Sequence, residues 1–288
     1  MTGPDDGAVL VVLAAGQAKR YGGGLKPLAP VGPDGEAILD LVGSDAIDAG
    51  FTTIVVVLGP HSAEAIRDHV RANWPPSVDV RFAMQSSPRG TVDAVLSAWS
   101  QLGRRPRFGV SNADDLYGPR AFEILATHVK GSGADNALVG FTLERAVIGD
   151  APVTRGVCRT GPGGHLVQID ERRGVTRRDD GTFATTDGRS PETLEPTTLV
   201  SMNLWAFSSS LEGAFRDAMA GAGNGEVLLP ELVASLIATH DRPRPFAVLA
   251  TDSRCVGVTH PDDLELVRRD IADQVERGER PAKPWTGA

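Results

Sequence analysis

Three observations in the sequence predict an α/β protein built on a doubly wound, mostly parallel sheet with a mixed-sheet extension. An uninterrupted apolar run, Ala8 to Leu13, passes directly into a glycine-rich loop, as a central strand covered on both faces does. Apolar strand runs and amphipathic helix patterns then alternate as far as about residue 135, the pattern of a sheet wound with helices. Beyond residue 136 several strand candidates follow with few helices between them, which predicts an extension of mixed direction.

The elements follow in order. After the first strand, Ile38, Leu41, Val42 and Ile47 give Ala37 to Ala49 a helical period, and Gly50 is its stop. Thr53 to Leu58 is a second buried strand, Ser62 to Asn73 a helix with Ala65, Ile66 and Val70 on one face, and Val78 to Ala83 a third strand. Thr91 to Leu102 reads as a helix and Phe108 to Val110 as a short strand. In the second half, Asn136 to Leu143, Val153 to Arg159, His165 to Ile169 and Thr198 to Phe207 are strand candidates. Between Arg172 and Pro196 the turn signals Asp179-Asp180-Gly181, Asp187-Gly188 and Ser190-Pro191 predict a mobile flap or hairpin. Leu211 to Ala220 and Val227 to Thr239 return to helix, Phe246 to Ala250 is a late strand, and Pro261 to Glu276 is a terminal helix with proline at its start. No internal repeat or low-complexity tract interrupts this order.

At 288 residues the chain can bury a large core as one domain. A net charge of −8 argues against a nonspecific nucleic-acid surface, so a polyanionic ligand must be met by local cations. Two cysteines, Cys158 and Cys255, are too few for a disulfide framework and lack metal-ligand spacing, which predicts reduced thiols in a cytoplasmic protein. No apolar stretch resembles a signal peptide or is long enough to cross a bilayer, so no membrane role is expected.

The segment from Leu13 to Leu28 carries the chemistry. Ala14, Ala15 and Gly16 are small enough for backbone N–H groups to approach phosphate oxygens, and Arg20 and Lys26 add charge-assisted contacts. The loop leaves the carboxyl end of a buried strand, where open α/β sheets bind ligands. It has neither the Gly-Lys-Ser/Thr ending of a P-loop nor the spacing of a dinucleotide-binding fingerprint. The pattern Leu-Ala-Ala-Gly with Arg20 and Lys26-Pro27-Leu28 resembles the signature loop of the sugar-1-phosphate nucleotidyltransferase family. That resemblance implies a Rossmann-like, GT-A-like fold in one domain over residues 1–288. Residues of about 1–135 would form its nucleotide-binding half and about 136–260 its acceptor-binding half, with the flap at 172–196 and a helix and tail from 261.

Further motifs extend the resemblance. Gln85-Ser86-Ser87-Pro88-Arg89-Gly90-Thr91 is similar to the family's Gln-x-x-Pro-x-Gly segment, which implies that Gln85 reads a pyrimidine edge, with Pro88, Gly90 and Thr91 against the base. One amide offers an imide both a donor and an acceptor. The other reading of Gln85 is a loop-capping amide. Asn112-Ala113-Asp114-Asp115 resembles the segment whose first acid binds Mg²⁺, which implies a metal role for Asp114 and a second contact from Asp115; a hard cation on carboxylate and phosphate oxygens suits nucleotidyl transfer. Asp170-Glu171-Arg172 resembles the family's Glu-Lys-Pro segment, implying Glu171 on sugar hydroxyls and Arg172, in place of lysine, on the sugar phosphate; a surface salt bridge is the alternative. Asn203, in a strand that supplies acceptor contacts in relatives, is implied as a polar finger, with Trp205 packing. Glu226 sits where relatives place an acid beside the sugar, a position equally suited to favourable charge before a helix. In the closing motif from Cys255 to Leu264, Gly257 stands where relatives carry a second Mg²⁺-binding aspartate; Asp252 or Asp115 could replace it, or nucleotide phosphates and waters could complete the shell.

The resemblance implies a Mg²⁺-dependent enzyme that joins a nucleoside triphosphate to a sugar-phosphate-like acceptor, with UTP or dTTP favoured by Gln85, giving an NDP-sugar and pyrophosphate. It is compatible with a homo-oligomer. Arg20, Lys26 and Asp114 would be its catalytic residues. The alternatives are a cytidylyltransferase of a polyol phosphate, phosphonate or cofactor precursor, told apart by base preference, and a catalytically silent nucleotide-sugar-binding regulatory protein, for which Gly257 is the argument. A GT-A glycosyltransferase is disfavoured by the Arg20 and Lys26 loop.

Overall fold

The computed structural model describes residues 7–16, 24–132, 136–239, 245–258 and 263–287. From the N-terminus, β1 (Ala8–Ala14) is followed by a 3₁₀ turn (Lys26–Leu28), α1 (Ile38–Asp48), β2 (Phe51–Leu58), α2 (Ala63–Asn73), β3 (Asp79–Met84), α3 (Thr91–Ala98) and β4 (Arg107–Asn112). Then come the short β5 (Asp115–Leu116), α4 (Pro119–Lys130), β6 (Asn136–Thr142), the single turn α5 (Leu143–Ala146), β7 (Val153–Thr160), β8 (Leu166–Arg177), β9 (Phe183–Ala184), β10 (Thr193–Leu194) and β11 (Leu199–Ser208). The last elements are α6 (Glu212–Gly221), α7 (Leu229–Ala238), β12 (Phe246–Ala250), β13 (Val256–Gly257) and α8 (Asp263–Glu276).

Most strands join one sheet whose main path runs β10-β9-β8-β7-β11-β4-β1-β2-β3, with β6 against β11 and β12 against β6. The block β4-β1-β2-β3 is parallel, as the alternation of strands and helices predicts. All seven residues of β1 are buried. Alternation sends Leu10, Val12 and Ala14 into a core with α1, α2 and α4, and Val9, Val11 and Leu13 into a second core with α3, α6 and α7. Each Val or Leu so enclosed contributes about 1.5–3 kcal/mol. Helices therefore cover both faces, and the strand is apolar throughout.

In the second half β11 is the organising strand. Along one edge it pairs with β6 over both of its ends. Its other edge is divided: Trp205 to Ser208 pair antiparallel with β4, and Val200 and Ser201 pair with β7. Between these stretches the register breaks, and Asn203 takes a left-handed backbone with φ of 60°. Asn tolerates that region better than most residues. The Tyr117 hydroxyl spans the opening, accepting from the Asn112 N–H at 3.0 Å and donating to the Met202 carbonyl at 2.9 Å. A fork in the sheet results, with β4 on one side and β7 on the other.

The polar stretch after Arg172 forms a hairpin: β8 continues to Arg177, and β9 and β10 fold back beside it. Helix α4, which the sequence reading did not assign, starts at Pro119 after Gly118 and buries Ala121, Phe122, Leu125, Ala126 and Val129, a helical spacing with proline in the first turn. The C-terminal tail returns to α1, where Arg280 pairs with Asp45 through two bonds of 2.6 and 2.7 Å. Trp285 packs on Trp74 at 4.8 Å. Among the described residues, no helix is long and apolar enough to cross a membrane.

Candidate active site

The carboxyl ends of β1 and β4 lie side by side, with Leu13 opposite Asn112. Ala113 N–H donates to the Leu13 carbonyl at 3.1 Å, and the Ser62 hydroxyl donates to the Ala14 carbonyl at 3.1 Å, so the chain leaving β1 is held from two sides. Leu13 and Ala14 are buried, Ala15 is half-buried and Gly16 is exposed, at the start of the glycine-rich loop. Arg20 lies outside the described residues. Lys26 returns to this edge on the 3₁₀ turn and places Nζ 3.1 Å from Asp114 Oδ2, with side chains 19% and 33% exposed. The structure thus brings Leu13 to Gly16, Lys26, Asp114 and Asp115 to one edge.

Asp115 faces inward. Its carboxylate accepts from Asn112 Nδ2 at 2.8 Å. Burial, then the adjacent charge of Asp114, pushes its pKa up to about 6. Residue 115 pairs directly with Gly257 across the β5–β13 ribbon. A Cβ at 257 would collide with Asp115 Oδ1, so the Asp115 carboxylate occupies the space that a side chain at 257 would need. Asp252 instead lines a separate cavity with Arg145, Arg254 and Arg277.

The donor set at this edge suits Mg²⁺. Among the described residues no group of three or more His, Cys, Asp or Glu side chains could enclose a metal, but Mg²⁺ bound with phosphates takes only one or two carboxylates and keeps water for the rest. Asp114 and Asp115, adjacent in the chain, supply carboxylates of that number despite glycine at 257.

The Gln85 segment is built as a brace. Gln85 is 5% exposed, and its side-chain nitrogen donates to the Gly90 carbonyl and to Asp93 Oδ2, each at 3.0 Å. Both partners are acceptors, which fixes the amide orientation. In this arrangement the Gln85 amide caps the loop, with both N–H groups of its nitrogen engaged. Gly90 has φ of 90°, and a Cβ there would collide with the Val227 backbone. That close approach lets Val92 N–H donate to the Val227 carbonyl at 3.1 Å and Leu229 N–H donate to Thr91 Oγ1 at 2.8 Å. Pro88 is exposed on the loop.

A cavity of about 260 Å³ opens in the fork of the sheet, and Thr91, Asp115, Arg155, Glu171 and Asn203 are among its lining residues. The Asn203 side-chain oxygen accepts from Trp205 Nε1 at 3.3 Å, while Trp205 is fully buried and packs, as expected. Glu171 carries an exposed pair with Arg173 at 3.2 Å. An outer chamber of about 410 Å³ shares Glu171, Leu228 and Pro230 with the first cavity and reaches the hairpin residues Asp187 and Arg189.

On the acceptor side, Arg172 and Glu226 line neither chamber. Successive strand residues point to opposite faces, so Glu171 and Arg172 do not share a ligand. Arg172 is 3% exposed and staples the hairpin: Nε donates to Asp187 at 2.8 Å, and Nη2 to Thr185 Oγ1 and the carbonyls of Arg189 and Pro191 at 2.7 to 2.9 Å. The guanidinium holds the Asp187 carboxyl well below the usual range. Glu226 is exposed, two residues before the Leu228 cap of α7, and does not line either chamber. Sequence reasoning missed Arg155, whose one signal is its place beside Gly156 in a half-polar strand.

No curated protein sequence matches the chain. Among solved structures, the inositol-1-phosphate CTP transferase from T. maritima superposes with a TM-score of 0.68 at 12% identity, covering 94% of this chain and 97% of that one. HddC from Yersinia pseudotuberculosis does so with a TM-score of 0.61 at 16% identity, covering 91% and 99%. At such identities these likenesses establish the fold. The model of the nucleotidyl transferase family matches residues 10–172, more than half of the chain and the part that holds β1, Lys26 and Asp114, and on that match the chain belongs to this family and is a nucleotidyltransferase.

Proposed function

We propose that the chain transfers a nucleoside monophosphate from an NTP to a sugar 1-phosphate, releasing pyrophosphate and an NDP-sugar. The observation that carries this reading is that two sites meet at consecutive carboxylates. Asp114 pairs with Lys26 on the loop side at 3.1 Å, and Asp115, next in the chain, lines the fork cavity. Donor and acceptor would therefore meet at the carboxyl end of β4.

An ionised acceptor phosphate needs no general base and no covalent enzyme intermediate. The task is to bring anions together in line and to neutralise the charge spread over the transferring group. Lys26 would hold the α-phosphate and the incoming acceptor, Arg20 the β- and γ-phosphates, and Leu13 to Gly16 the phosphate oxygens through backbone. Asp114, with Asp115, would hold Mg²⁺, which supplies charge neutralisation on the phosphates. A metal–polyphosphate offers each partner of the Lys26–Asp114 pair a stronger opposite charge than the other provides, so the pair opens as substrate enters. Glu171 and Asn203 would take sugar hydroxyls, and Gly90 and Thr91 would lie beside the base. A homo-oligomer is compatible with this arrangement.

Base preference is the finer question. With its nitrogen committed to Gly90 and Asp93, Gln85 has an oxygen to offer, and that oxygen suits the N3–H of uracil or thymine and the N4 amine of cytosine alike. UTP or dTTP is the first reading; CTP is the second, served equally by this oxygen and matched by the named activity of the T. maritima fold neighbour. Incubating the protein with Mg²⁺, each common NTP and dTTP, and a panel of sugar 1-phosphates and polyol phosphates, with mass spectrometry and pyrophosphate detection, decides it. Product with UTP or dTTP supports the first reading and product with CTP alone the second. No pyrophosphate with any pair overturns both.

A further inference from the structure

With Arg172 withdrawn into the hairpin, the fork cavity still contains one arginine among its lining residues, Arg155. It sits on β7 directly across from Arg172 in the β7–β8 register. Its guanidinium is held by three bonds: Nε and Nη2 both donate to the Ala146 carbonyl, at 3.2 and 2.7 Å, and Nη1 donates to the Thr154 carbonyl at 2.8 Å. A guanidinium carries five N–H groups, so these three bonds orient the plane and leave two N–H groups with no protein acceptor among the described residues. Burial draws the Arg155 pKa down while the Asp115 carboxylate pushes it back; arginine stays charged under such opposition. Asp115 lines the cavity with this cation, whereas Glu171, paired with Gly156, lies on the opposite face of the β7–β8 ribbon.

We propose that Arg155 is the residue that receives the acceptor's phosphate, a specificity-determining contact that rests on the nucleotidyltransferase reading above. An oriented guanidinium with two unclaimed N–H groups matches two oxygens of a phosphate monoester. Asp115, which lines this cavity and follows the Asp114 that pairs with Lys26, marks the boundary where that phosphate must lie to reach the donor. Asn203, which also lines this cavity, is then free to select hydroxyls on the rest of the acceptor. Acceptors with a neutral group in place of the phosphate would find no partner for the guanidinium.

The test compares wild type with Arg155→Gln and Arg155→Lys, using the acceptor identified in the panel above. The expected result for Arg155→Gln is an acceptor KM raised about 10- to 100-fold, the loss of a charge-assisted contact, with Mg²⁺–NTP affinity by calorimetry unchanged within about twofold. Arg155→Lys, which keeps charge but not the fork, falls between. An unchanged acceptor KM in either folded variant overturns the proposal, as does an equal loss of NTP affinity. Should Arg155→Gln fail to fold, the lysine variant carries the same two readings. If wild type releases no pyrophosphate with any substrate pair, the function reading fails separately. Calorimetric titration with inorganic phosphate then decides Arg155: binding to wild type that Arg155→Gln abolishes supports the assignment, and absent or equal binding overturns it.

Discussion

Lys26 and Asp114 lie 88 residues apart in sequence yet meet at 3.1 Å, both partly exposed. An exposed pair of this kind stabilises a fold little, so its cost in accessible charge is better explained by ligand than by stability. Lys26→Met and Asp114→Asn are each expected to lower kcat/KM by about 10²- to 10³-fold, the scale of one lost transition-state contact, while the thermal midpoint moves by no more than a few degrees. Pyrophosphate release and calorimetry on the same preparations check both halves. These two residues were legible in sequence because each stands in a short motif, Lys26 in the loop that follows β1 and Asp114 just past the end of β4. Gln85 and Arg172 were less so: the sequence shows an amide and a guanidinium, but the acceptors that claim them, Asp93 in one case and Asp187 in the other, are fixed only when the backbone turns. Arg155 had no motif, and its relevance comes from the break in β11 that opens the cavity beside it.

At the scale of elements, the first half of the fold followed from apolar runs and helical periods, and the predicted strands and helices fall within a few residues of those seen. Helix α4 was passed over although Pro119 and the spacing of Phe122, Leu125 and Val129 mark it. Strand β8 runs on to Arg177, beyond the predicted end at Ile169, because its later burial comes from Arg172 and Val175 rather than from a hydrophobic alternation. The hairpin that follows depends on Arg172. Truncating it strands the Asp187 carboxylate and the carbonyls of Arg189 and Pro191, and buried acceptors without donors are costly. Arg172→Ala is therefore expected to speed limited proteolysis between residues 178 and 191 and to weaken acceptor binding through Glu171, with NTP affinity unaffected. Arg172→Lys restores little, since an ammonium cannot span the same set of acceptors.

For the whole molecule, the tail closes the structure. Asp45 and Arg280 are 3% and 4% exposed, and burial raises the Asp45 carboxyl to about 6 even with the guanidinium opposing it. An acid with a raised native pKa binds its proton more tightly when folded, so its contribution to stability is full below the ordinary value of 3.8 and is lost as pH climbs through about 6. Arg280→Met removes the opposing cation and leaves a lone carboxylate. Its destabilisation is expected to be small near pH 4 and to grow to about 3–5 kcal/mol at pH 7.5, read by urea unfolding at both pH values. Asp45→Asn combined with Arg280→Met should recover most of that loss at pH 7.5.

The forked edge of β11 has one more consequence. The strand carries β4 and β7, set apart along a single backbone, and in the proposed reading β4 ends at the donor side and β7 walls the acceptor side. The spacing between the reacting partners is then counted in residues of one strand, while the loops and the hairpin decide only what is admitted. On that reading, exchanging those loops is expected to change the acceptor and leave the line of attack intact.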